Sequence, residues 1–288
     1  MSHFYLSLPS NSSKNYYPDN TLTKFTTKLP TAIALQGEWE VGLAEIILPK
    51  NWINVNEGQS FTVHYYLIEE LYLEHNSETK TEYIATFPLK PGRYVDVKSL
   101  LEEINKLLDT YYEDVINSRL ETWVPERLKN DGWIRFTHNS WNETVEIDML
   151  SCSKITMTDD LADILGFNKT SLPFRNNSTD IRICFRSDRM CDIDFGRHSL
   201  YVYCDILEYV PVGDTMAPLL RTIDVTSANK IIIHKSFDRP RYVPLQKLQF
   251  ETLEVDIRDG FGNPVPFESG TLIVTLHFRR ANSPYFVL

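Results

Sequence analysis

The sequence predicts a mainly β protein: a single jelly-roll sandwich interrupted by an inserted α+β (upper) domain. Three observations carry this reading. Both ends of the chain alternate apolar and polar residues, long turn-rich connections separate those runs, and only the middle shows helical spacing. A parallel α/β sheet would need a helix after nearly every strand, and this chain does not supply them.

The first strand is HFYLSLP, which sets Phe4, Leu6 and Leu8 on one face and Tyr5 and Ser7 on the other. SNSSKNYYPDNT follows as a turn-rich loop, with Pro18, Asp19 and Asn20 as turn formers. KFTTKLP alternates again through Phe25, Thr27 and Leu29. WEVGLAEIILP starts with Trp39, Val41 and Leu43 on one face and then becomes continuously apolar from Ile46 to Leu48. Such a strand is either covered on both faces or carries a bulge.

The middle changes texture after a strand at FTVHYYLI. From Asp96 to about Tyr112, Leu100, Leu101, Ile104, Leu107, Leu108 and Tyr111 fall at helical spacing, with Asp96 or Ser99 as N-cap. Strands are expected at WIRFTH and TVEIDM, and a short helix at DDLADILGF, capped by Asp159 and stopped by Gly166. From Asp180 onward IRICFR, SLYVYCDIL, KIIIHK, KLQFETLEVDI and TLIVTLHF all alternate, the last with Leu272, Val274, Leu276 and Phe278 inward. The expected division is a discontinuous jelly-roll domain, 1–56 with 180–288, and an inserted α+β domain at 57–179.

Composition narrows the function. At 288 residues and 42% hydrophobic the chain can bury a sizeable core, and its net charge of −10 argues against direct nucleic-acid binding, which needs clustered cations. The four cysteines form no CxxC pair, so free thiols in a reducing compartment are expected. MSHFYLSLPS has neither the basic nor the apolar region of a signal peptide, and no apolar run reaches the roughly 18 residues of a membrane span.

Catalytic signals are weak. The seven histidines include no HxH or HExxH, so no metal site is expected. Asp192 and Asp194 would share one face if CDIDF were a strand, where a solvated face outweighs a cation site. GFGNPV, from Gly260, starts like a dinucleotide-binding turn but puts Val265 at the third glycine, and no helix follows. Ser77 and Lys80 form an isolated SxxK without companion motifs. The chain is therefore expected to have no catalytic residues, no metal and no cofactor.

Apolar positions outside the strands are the stronger signal. Tyr285, Phe286, Val287 and Leu288 end the chain after a proline, and a tail of this kind docks either on its own domain or on a neighbouring chain. Tyr16 and Tyr17, in the first long loop, are candidate protein-interface residues for the same reason.

HFYLSLPSNSSKNYYPDNTLTKFTTKLP with WEVGLAEIILP, then LYVYCDILEYVPVGDTMAPLLRTI, then YVPLQKLQFETLEVDIRDGFGNPVPFESGTLIVTLHFRR occur in that order. Together with SLLEEINKLL and LADILGF, they resemble the minor capsid, or penton, proteins of Polinton (Maverick) elements, virus-like transposons related to virophages and more distantly to adenoviruses. The resemblance implies a jelly roll in the capsid floor and a homopentamer at each fivefold vertex, with the inserted domain projecting outward. It implies as partners the chain's own copies and a double-jelly-roll major capsid protein, and as location the virion. It brings no catalytic residue, and no RGD is present for a receptor role of the adenovirus kind. The rival readings are a jelly-roll carbohydrate- or protein-binding module and a domesticated capsid-derived host protein.

Overall fold

The structure, a computed structural model, describes residues 2–66, 82–113, 134–150, 153–168, 182–226 and 231–281. The chain divides into two compact units, Met1–Trp52 with Gly196–Leu288, and Ile53–Phe195. In chain order the elements are β1 His3–Pro9, β2 Lys24–Ala34, β3 Trp39–Pro49, β4 Ser60–Tyr66, β5 Glu82–Pro88, α1 Val97–Tyr111, β6 Ile134–Asn139, β7 Thr144–Leu150, β8 Lys154–Met157 and α2 Asp159–Leu165. They continue with β9 Arg182–Arg186, β10 Ser199–Cys204, β11 Val210–Val212, β12 Thr215–Ala217, β13 Leu219–Asp224, β14 Ile232–Ser236, β15 Tyr242–Pro244, β16 Gln249–Arg258 and β17 Ile273–Arg280.

The discontinuous unit is a jelly roll. One sheet runs β1-β17-β3-β14, with β15 also on β3, and the other runs β13-β10-β16-β2. Each sheet therefore draws strands from both ends of the chain, and the first strand pairs antiparallel with the last, Leu6 opposite Leu276. This interleaving defines the architecture, with the second unit inserted between β3 and β10. The sheets face each other through alternate side chains. Leu8, Val41, Leu276 and Phe278 meet Phe25, Val202, Leu253 and Ile257 in one buried cluster.

β3 has both a bulge and a covered outer side. Thr275 pairs with Glu45 while the next residue, Leu276, pairs with Leu43, so Ala44 is an extra residue. This bulge shifts the parity: Trp39, Val41 and Leu43 point inward before it, and Ile46 and Leu48 after it. The Ala44 carbonyl accepts the Phe237 N–H at 2.8 Å. The first half of the strand is also covered on its outer side, because a Cβ on Gly42 would lie 2.7 Å from Pro240 Cβ and 2.9 Å from the Arg241 carbonyl.

The inserted unit contains sheets β5-β4-β8 and β6-β7-β9 with α1 and α2. Leu100, Leu101, Ile104 and Leu108 of α1 are buried against residues such as Phe61, Phe136, Ile147 and Ile164. The two cap candidates turn out to be the halves of one capping box: Asp96 accepts the Ser99 N–H at 2.7 Å, and Ser99 Oγ accepts the Asp96 N–H at 3.3 Å. Asn105 then fixes α1 to β6, donating to the Phe136 carbonyl and accepting its N–H.

Several local expectations are corrected. In α2, Asp159 is the first helical residue and not the cap; Thr158 holds the cap position, its hydroxyl bonded to the Ser60 backbone and not to the helix. An acidic residue there still favours the positive end of the helix dipole. Gly166 ends α2 at φ +81, where an added Cβ would meet the Arg189 carbonyl at 2.3 Å. β9 pairs with β7 and belongs to the inserted unit, so the chain returns to the jelly roll at Gly196 and not near Asp180. Arg182 to Asp148 and Arg186 to Glu146 bridge that strand pair on its outer face.

Candidate interaction surfaces

The loop between β1 and β2 is built around Asn20. Its amide donates to the Thr26 carbonyl at 2.8 Å and accepts the Thr26 N–H at 2.9 Å, closing the loop onto the start of β2. Ser13, at φ 57, turns the backbone so that its carbonyl accepts the N–H groups of both Tyr16 and Tyr17. The consequence is an ordered presentation of two rings with different surroundings. Tyr16 is 64% exposed beneath Lys28 Nζ, 4.5 Å from the ring centroid, whereas Tyr17 is half-buried. Tyr285, Phe286, Val287 and Leu288 lie outside the described residues, as do Ser77 and Lys80.

The outer face of the first jelly-roll sheet carries an aromatic and histidine network. Tyr5 stacks on His277 at 4.3 Å, His277 Nδ1 bonds the Tyr242 hydroxyl at 2.7 Å, and His3 Nδ1 lies 3.3 Å from His277 Nε2. Burial first, then His3 and Arg279, push the His277 pKa down, so the imidazole is neutral at pH 7. Arg279 lies over the Tyr242 ring at 3.4 Å and pairs with Glu40. These polar groups bond to and stack on one another.

Beyond this network, the outer face of the second sheet forms an open groove of about 540 Å³ whose lining includes Tyr203, Asp205, Lys247, Glu254, Asp256 and Arg258. Its carboxylates are paired: Asp205 with Lys247 at 2.7 Å, Asp256 with Arg258 at 2.9 Å, and Glu254 with Lys24 at 3.1 Å. At one end of the sandwich Phe4, Ile33, Leu35, Trp39 and Arg280 line a second groove of about 600 Å³.

Other positions singled out in the sequence find local explanations. Residues 191–197 are not a strand, and Asp192 accepts the Asp194 N–H at 3.1 Å, an Asx-type turn that separates the two carboxylates' roles. Gly260 and Gly262 sit in the connection from β16 to β17, where Val265 is buried and its carbonyl accepts from Thr23 Oγ1 at 2.7 Å. Cys184, Cys191 and Cys204 are free thiols, and burial pushes Cys204 up to about 12. Periodicity did not single out the exposed Trp141, 97% accessible in the turn between β6 and β7, or Phe261, 66% accessible.

Asp224, at the end of β13, gives a pH-dependent expectation. Its carboxylate accepts from Thr226 Oγ1 at 2.6 Å and Thr226 N–H at 3.0 Å, and then from Lys235 at 3.3 Å. These bonds, the Thr226 hydroxyl first, lower its pKa to about 2. Because the folded value lies below the unfolded one, its contribution is complete above about pH 4 and is lost as pH falls toward the folded pKa. NMR titration should give a carboxyl midpoint of about 2, raised by Thr226→Val. A midpoint at the ordinary 3.8 in the parent would contradict this bonding.

No protein-family model and no curated protein sequence matches the chain. Its fold is similar to the crystal structure of the mavirus penton protein, with a TM-score of 0.50 at 13% sequence identity, covering 98% of this chain and 100% of that chain. The described part of the chain thus has a penton-like fold, a jelly roll with an inserted unit. Among the described residues, no helix is long and apolar enough to cross a membrane.

Proposed function

We propose that the chain is a structural, non-catalytic minor capsid protein of the penton type, from an element of the Polinton (Maverick) kind. It assembles as a homopentamer at the vertices of an icosahedral virus-like shell, beside a double-jelly-roll major capsid protein, and its location is the virion. The observation that carries this reading is the interleaved strand order with an insertion after β3, in a fold that parallels a penton protein from end to end. The sequence resemblance of both chain ends to Polinton pentons supports the same assignment.

Physical properties support it as well. Shell subunits need rigid strands that present fixed side surfaces to sister copies, and pairing the first strand with the last closes such a body. Fixed rings such as Tyr16, and the C-terminal Tyr285 to Leu288, are suited to those contacts. A net charge of −10 suits a wall subunit better than one that neutralises a genome.

Co-expression with the major capsid protein tests the proposal. Native mass spectrometry should find a closed pentamer, and electron microscopy should find the chain at particle vertices. A chain that stays monomeric and never enters co-expressed particles overturns it.

A further inference from the structure

We propose that His138, Glu143 and Cys191 in the inserted unit form a binding site for one zinc-class divalent ion. The three donors come from two separate segments. His138 lies near the end of β6, Glu143 closes the turn into β7, and Cys191 follows β9. Their nearest ligand atoms all lie within 4.8 Å of one another. A tetrahedral zinc with bonds of about 2.0–2.3 Å needs its ligand atoms roughly 3.3–3.7 Å apart. His138 Nε2 and Glu143 Oε2 already meet at 3.1 Å, so modest side-chain rotation brings all three donors onto one ion.

Backbone bonds hold the arrangement. The Cys191 N–H donates to the Glu143 carbonyl at 2.7 Å, and Ser187 exchanges bonds with Val145 through its N–H and its hydroxyl. Glu143 is one of the few non-glycine residues at positive φ, 52°, which costs backbone energy and aims its carboxylate at His138. The donor set decides the ion. One thiolate, one imidazole and one carboxylate suit zinc, whereas magnesium and calcium require oxygen ligands throughout. With three protein ligands, the fourth position is left for water or for a group from a partner.

The proton balance follows from the donor chemistry: Cys191 is a free thiol, and only its thiolate binds the ion. The incoming ion displaces the thiol proton to solvent, and the S–H bond is exchanged for a metal–sulfur bond. The His138 Nε2–H that pairs with the Glu143 carboxylate gives way as the ion arrives: the ring takes the tautomer with its proton on Nδ1, and the Nε2 lone pair binds the ion. Binding therefore tightens as pH rises.

Cobalt(II) is the spectroscopic probe, used on the full chain. We expect one ion per chain, a thiolate-to-cobalt charge-transfer absorption, displacement by zinc(II), and release of about one proton per ion. Cys191→Ser should abolish the charge-transfer absorption, and both it and His138→Ala should weaken zinc binding at least about 10-fold. Absence of that absorption in the parent, or its persistence in Cys191→Ser, overturns the proposal. A second measurement needs no variant: zinc should protect Cys191 from alkylation while the exposed Cys184 stays reactive. Equal labelling of Cys191 with and without zinc would also overturn it.

Discussion

Phe278→Ala is expected to cost the jelly roll about 4 kcal/mol of stability, the range for truncating a fully buried aromatic. Phe278 is 0% exposed and stands opposite Val41 on β3 and Phe4 on β1. Its ring stacks on Phe4 at 4.7 Å, nearly parallel, and on Phe250 of the other sheet at 6.0 Å. The side chain therefore joins the outermost strand to both layers of the sandwich. Removing it opens a cavity that well-ordered strands cannot collapse to fill. Urea unfolding should show the loss as a lower midpoint at unchanged slope, with faster hydrogen exchange in β1, β3 and β17. A loss below about 1 kcal/mol would refute the role given to this ring.

Asp259→Ala should rank next, at roughly 3 kcal/mol, because it strips the partner from a largely buried cation. The Asp259 side chain is 1% exposed, and its Oδ2 lies 3.6 Å from Nε of Arg197, whose side chain is 11% exposed. Its other oxygen accepts the N–H groups of Phe261 at 3.0 Å and Asn263 at 2.9 Å, which shapes the turn after β16. Asp259→Asn keeps an acceptor for those two amides and should lose less than half as much. Thermal unfolding of both variants separates the contributions of charge and loop. An alanine variant within about 1 kcal/mol of the parent would show that the carboxylate does not anchor this connection.

Both predictions concern residues whose surroundings differ in how well the sequence shows them. Phe278 belongs to a run whose alternation already assigns it inward, and Leu272, Val274 and Leu276 are buried with it. Asp259 reads locally as the start of a turn-rich loop, which is correct, but its buried partner Arg197 is 62 residues earlier (259 − 197), beyond any local pattern. Distance along the chain also hid the cluster of His138, Glu143 and Cys191, since no spacing rule joins a hairpin turn to a segment that follows three further strands and a helix. Tyr16 was legible as a candidate contact because an aromatic residue in a polar loop stands out without any tertiary information.

By itself, the sequence determined the faces of most strands, the main helix with Asp96 or Ser99 as its alternative caps, and the mainly β character of the chain. Each of these depends on residues within a few positions of one another, where side-chain period and backbone capping act directly. Only the tertiary structure decided that β9 joins β7, that Ala44 is the extra residue that reverses the parity of β3, and that Asp259 neutralises Arg197. Alternation tells a strand which side to bury but not which neighbour to pair with. Partner choice follows from register and packing between segments far apart in the chain.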